Sequence, residues 1–248
     1  MVVLTDSEIG FLRQARDYLR IPDDYIVADL ETSGFSRDRD FIIEVAIGRV
    51  QNRQLVSRQC AVLNWLGHET VDRDYIASQL ARIGEAYAAK GRSWRYTPEV
   101  LQLEGQDPLQ VLHTYMTCIR DALTDGQLIC GHGFWQFDRS MLDVHCDRFL
   151  PGFVLPWHSD AILDTGLIAK TIQLAKLPWA GESRDAWFNR IAATRAKGVM
   201  WSLDGYCLKK YELESRYQIE PQQFHTAGFD ILAIHLLVET YRHLVETV

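Results

Sequence analysis

The chain has 248 residues, 47% of them hydrophobic and 24% charged, with a net charge of −7. That balance suits a globular protein with a real core, and no stretch approaches the roughly 20 apolar residues that span a bilayer. The acidic balance argues against a grip on long nucleic acid duplexes by counterion release. It is compatible with a carboxylate cluster that recruits cations.

No Pro/Gly/Ser-rich linker, low-complexity tract or repeat period divides the chain, which predicts a single domain over 1–248. The N-terminal segment lacks the pattern of a secretory signal. Five scattered cysteines (Cys60, Cys118, Cys130, Cys146, Cys207) form no C-x-x-C pair. They predict reduced thiols and a cytoplasmic location rather than a disulfide frame. A zinc site from Cys130, His132, His145 and Cys146 would have a spacing that suits no common structural pattern.

In chain order, Thr5-Asp6-Ser7-Glu8 reads as a capping box that opens an N-terminal helix (about 5–19), ended by Ile21-Pro22. Strands are predicted over Tyr25 to Leu30, Phe41 to Val50 and Gln54 to Leu63, with short antiparallel connections. Asp72 to Lys90 and Pro108 to Leu123 have helical period. Leu128-Ile129-Cys130 reads as a short buried strand. Helices are predicted over Trp135 to Phe149 and Ile162 to Leu174, with a short strand near His158 before the second. Two further helices, Leu203 to Leu213 and Phe229 to Leu244, close the chain. Three antiparallel strands followed by alternating helix and strand predict an α/β fold, a mixed sheet with helices packed around it.

Asp29 and Glu31 stand two apart at the end of an otherwise apolar strand, so both carboxylates project from one face. Like charges this close raise each other's pKa unless a cation neutralises them. All-oxygen ligands suit Mg²⁺ or Mn²⁺. Asp138 follows a strand-to-helix segment, and Asp230 falls in the first turn of an apolar helix, where negative charge is favoured.

Three segments carry a resemblance: D-L-E-T-S-G-F at 29–35, G-H-G-F-W-Q-F-D at 131–138 and H-T-A-G-F-D at 225–230. In this order they resemble the three motifs of the DEDDh 3′→5′ exonucleases, the DnaQ-like and RNase T-like group of the ribonuclease H-like superfamily. Phe41 to Ala46, Tyr96-Thr97-Pro98-Glu99 and Asp164-Thr165 extend the likeness over about residues 25–241. The resemblance implies a ribonuclease H-like five-stranded sheet, three antiparallel strands then parallel αβ units. It implies hydrolysis of phosphodiester bonds at nucleic acid 3′ ends, single-stranded ones in particular, with release of nucleoside 5′-monophosphates. Asp29, Glu31, Asp138 and Asp230 would hold two Mg²⁺ or Mn²⁺ ions, and His225 would be the general base. Thr226 stands where the tyrosine subclass would carry Tyr. Thr32, Gly34, Phe35 and Phe134 would contact substrate, with His132 in a supporting role.

This chain departs from the pattern at Gly133, where many relatives carry Asn, and at Phe35, where Leu is frequent. An aromatic there could stack on any base. Segments near 66–95 and 177–201 exceed the minimal pattern and are predicted helical insertions. The second mixes cations and aromatics, as a single-strand groove would, but reads better as an amphipathic helix that packs Trp187 and Ile191. The competing function is a catalytically silent nucleic-acid-binding or interaction module on the same fold. The last helix ends almost at Val248, which predicts a stand-alone nuclease rather than a proofreading subunit. Homodimerisation, present in several relatives, is not visible in the sequence.

Overall fold

Thr5 opens the chain's first helix as its sequence predicts: its hydroxyl accepts the Glu8 amide at 3.2 Å, and Glu8 Oε2 accepts the Thr5 amide at 2.7 Å. The computed structural model describes residues 4–19, 21–158, 160–200, 202–219 and 225–247. After α1 (Asp6–Ala15) come β1 (Tyr25–Thr32), β2 (Ile42–Gln51) and β3 (Gln54–Val62). A 3₁₀ turn at Trp65–Gly67 leads to α2 (Arg73–Ala88), α3 (Pro98–Glu104) and α4 (Pro108–Thr124). Then follow β4 (Ile129–Gly131), α5 (Asp138–Phe149), β5 (Ile162–Asp164), α6 (Thr165–Leu174) and α7 (Arg184–Ala193). A π-helical turn at Leu203–Cys207, α8 (Leu208–Lys210), α9 (Leu213–Tyr217) and α10 (Ala227–Thr247) complete the described chain.

The sheet order is β3-β2-β1-β4-β5. The first three strands pair antiparallel, and β4 and β5 join parallel. The expected ribonuclease H-like architecture is therefore the observed one. β1 and most of β2 are buried because helices cover them, with α10 crossing β1 and β2. That cover explains their near-continuous apolar runs.

Four local expectations need correction. Among the described residues no strand forms at His158, and Ile162–Asp164, predicted as helix, is β5. A three-residue apolar run cannot be told from a helix start by periodicity, and Asp164 ends it by capping α6 through the Leu167 amide at 3.0 Å. The helix predicted from Trp135 starts at Asp138, because Asp164 also accepts the Trp135 amide at 2.9 Å and holds that stretch in turns. The helix predicted over Leu203 to Leu213 is instead the π turn and α8, interrupted at Glu212, whose φ is 55°. α3 is absent from the predicted elements; Thr97 caps it and Pro98 begins it.

In the 177–201 segment, Trp187, Phe188 and Ile191 of α7 are fully packed. Arg190 donates to Glu182 at 2.6 Å and to the Leu177 carbonyl at 2.9 Å, and stacks 4.2 Å over Trp179. Over α7, then, the segment is a packed helix, with Arg190 turned onto Glu182 rather than into solvent.

Candidate active site

β1 delivers the first two carboxylates. Asp29 lies opposite Ala46 and Glu31 opposite Glu44, and the register slips between Glu31 and Thr32. Such an irregularity re-aims the chain at a sheet end. Beyond it the Thr32 hydroxyl donates to the Gly34 carbonyl at 2.7 Å. A Cβ at Gly34 would overlap the Asp40 carboxylate, which accepts the Ser36 amide at 2.7 Å and the Tyr75 hydroxyl at 2.9 Å. The tight turn leaves Phe35 85% exposed, its ring meeting Phe137 edge-on at 5.9 Å.

Asp138 is the first residue of α5 and is buried. Its approach is set by Asp164, which ties down the Gly133 amide at 3.1 Å as well as that of Trp135. His132 Nδ1 lies 2.9 Å from the Thr165 hydroxyl, a contact within the scaffold. Phe134, expected to touch substrate, is fully buried and packs so closely on Gly131 that no Cβ would fit there. It is a core side chain and has no face to offer a nucleotide.

Asp230 sits in the first turn of α10, buried, its amide bonded to the Thr226 carbonyl at 2.9 Å. His225 precedes that helix with φ of 66°. A side-chain-bearing residue held in the left-handed region costs about 1–3 kcal/mol and persists where its surroundings over-determine it. Its ring meets Tyr87 edge-on, centroids 4.8 Å apart at 88°. One atom each of Glu31, His225 and Asp230 lie within 4.8 Å of one another.

Burial, then the charges of Asp230, Asp138, Glu31 and Glu44, push the Asp29 carboxyl well above its ordinary range. Glu31 is raised by burial, then by Asp230, Glu44 and Asp138. Burial raises Asp138 to about 8, with Asp164 adding to it. Asp230 is raised by burial to about 7, against a downward pull from His225. Among the described residues no Lys or Arg forms an ion pair with any of these four acids. Among the described residues, buried Asp230 Oδ1 has no hydrogen-bond partner, and buried His225 Nε2 makes no close hydrogen bond, its ion-pair partner Asp204 lying 3.5 Å away. Converging buried carboxylates with no Lys or Arg partner among the described residues, one with an unpartnered oxygen, fit a divalent metal ion.

Two residues around this cluster went unread in the sequence. Glu44 is buried and accepts both the Tyr96 hydroxyl and the Ala227 amide at 2.6 Å. Its signal was available, since it is a lone acid in the apolar run Phe41 to Ala46. Asp204, in the π turn, is bonded to Arg92 and lies with Oδ2 3.5 Å from His225 Nε2. His225, and then Arg92, hold its carboxyl well below the usual range despite partial burial. Nothing local marks that residue.

No family model and no curated protein matches this sequence. Solved structures do. The zinc-bound E. coli exonuclease I–single-stranded DNA complex superposes with a TM-score of 0.58 at 14% identity, covering 91% of this chain and 42% of that one. E. coli exonuclease I with a dA16 oligonucleotide gives 0.57 at 13% identity, over 91% and 42% of the two chains. Exonuclease I from Methylocaldum szegediense gives 0.54 at 16%, again over 91% and 42%. The chain thus spans less than half the length of these enzymes. It has the ribonuclease H-like, DnaQ-type fold that exonuclease I represents.

Proposed function

We propose that this protein is a 3′→5′ exonuclease that hydrolyses the terminal phosphodiester bond of a single strand and releases nucleoside 5′-monophosphates. The observation that carries the reading is the convergence of Glu31, Asp230 and His225, with the carboxylates of Asp29 and Asp138 close enough to raise one another electrostatically. Asp29, Glu31, Asp138 and Asp230 would hold two Mg²⁺ or Mn²⁺ ions. Such ions, when bound, supply positive charge to the attacking and leaving oxygens of an in-line displacement.

The remaining chemistry belongs to the side chains. His225 takes a proton from the attacking water, a role worth about 10²–10⁴ in rate. Phe35 presents an aromatic face beside the strand-end carboxylates and stacks on the terminal base without reading it. Thr32 and Gly34 form the turn that holds it there. Single-stranded DNA in complexes of the structural neighbours supports the choice of strand.

Digestion of matched DNA and RNA single strands with Mg²⁺, with and without EDTA, tests this. Metal-dependent release of 5′-mononucleotides supports the reading. Tight binding of the strands without any cleavage would support the silent-module alternative instead.

A further inference from the structure

The two stretches that exceed the minimal exonuclease pattern lead to the same side chain. Tyr87, near the end of α2, supports one edge of the His225 ring at 4.8 Å. Arg92, shortly beyond α2, is ion-paired to Asp204. Asp204 follows the other stretch and places Oδ2 3.5 Å from His225 Nε2. Both partners are mostly shielded, with side chains 26% and 18% exposed for His225 and Asp204.

The backbone around Asp204 is unusual. Ser202 O accepts the amides of Tyr206 at 3.1 Å and Cys207 at 3.0 Å, which widens the turn to π geometry. A Cβ at Gly205 would lie 2.5 Å from Ser202 Oγ, so the glycine gives that hydroxyl its room. Single π turns recur at functional sites. His225 is itself held at positive φ. Two uncommon backbone conformations thus face each other across one side-chain contact.

We propose that Asp204 is a positioning residue for His225, fixed from behind by Arg92, which orients the imidazole for proton transfer. This rests on the exonuclease reading of the site. With Nε2–H directed at Asp204, the lone pair lies on Nδ1. As the water oxygen bonds to phosphorus, its proton passes to Nδ1. The bond from phosphorus to the 3′ oxygen breaks, and that oxygen leaves on the shortened strand and is protonated by solvent. The imidazolium keeps its Nε2–H toward Asp204, whose negative charge stabilises it without accepting the proton. Contacts of this kind are often long before substrate binds.

The test combines kinetics with ring spectroscopy. Asp204→Asn is expected to lower kcat about 10–100-fold with KM within about twofold, and Asp204→Glu to recover part of the loss. Asp204→Asn added to His225→Ala should cost nothing further, because the carboxylate acts through the ring. Arg92→Gln should lower kcat by a smaller factor, and serves if Asp204→Asn does not fold. Nitrogen NMR of the metal-free protein should show the Nε2–H tautomer of His225, lost or mixed in Asp204→Asn. Additive losses in the double variant, or an unchanged tautomer, would overturn the proposal. An inactive wild-type protein would remove the exonuclease reading itself, whereas the NMR result is readable without turnover.

Discussion

Glu44 Oε2 accepts the Ala227 amide at 2.6 Å and so ties β2 to the first turn of the helix that carries Asp230. The same oxygen accepts the Tyr96 hydroxyl at 2.6 Å. Strand, helix and the approach to α3 therefore meet on one buried carboxylate. Glu44→Ala strands both donors, and hydrogen bonds to a charged group are worth about 1.5–3 kcal/mol each. A loss of about 2–4 kcal/mol in urea unfolding is expected, since the two share one acceptor. Glu44→Gln, which keeps an acceptor, should lose less.

The carboxylate cluster makes stability depend on pH and metal together. Asp138 and Asp230 are raised in the folded chain to about 8 and about 7, against about 4 when unfolded. Between those values the folded state holds more protons than the unfolded state, so stability falls as pH rises from about 4 to about 8. In EDTA the Tm should be higher near pH 5 than near pH 8. Mg²⁺ or Mn²⁺ should raise it at the upper pH and do little at the lower, and Asp138→Asn or Asp230→Asn should flatten the metal-free slope. A metal-free Tm that climbs between these pH values would contradict the electrostatics.

Phe35 separates binding from stability. It is 85% exposed, so Phe35→Ala should change unfolding free energy by less than about 0.5 kcal/mol. Base stacking on an aromatic is worth about 1–3 kcal/mol by alanine substitution, which corresponds to a rise in KM of about 5–150-fold. Steady-state kinetics on a single strand check this, with Phe35→Trp expected to retain affinity.

For α7 the expectation is reversed. Trp187 is fully buried and donates through Nε1 to the Lys176 carbonyl at 3.0 Å. Trp187→Ala should cost about 3–5 kcal/mol. Neutralising Arg195 and Lys197, both exposed, should leave single-strand affinity and its salt dependence unchanged. A flatter salt dependence would return this segment to the substrate grip.

The legible parts were those whose signal is local. Asp29 and Glu31 at i and i+2 in an apolar strand announce a charged sheet end, and the Thr5 capping box sits in four consecutive residues. The antiparallel pairing of the first three strands followed from their short connections, and the five-stranded sheet from the resemblance. What escaped depends on distant partners. Arg92 and Asp204 are 112 residues apart, and neither position has a pattern of its own. β5 is a strand only because β4 lies beside it, and Asp164 delays α5 from the far side of that pair. Phe134 looked available beside the second motif, yet Gly131 draws it into the core.

The most direct measurement is the product pattern from a 5′-labelled single strand incubated with Mg²⁺ and wild-type, Asp29→Ala or His225→Ala protein. The wild-type chain should give a ladder shortening stepwise from the 3′ end, with nucleoside 5′-monophosphates released and EDTA abolishing the reaction. Both variants should lose at least about 10²-fold in rate. An intact strand, cleavage at internal positions, or variants as active as wild type would contradict the account.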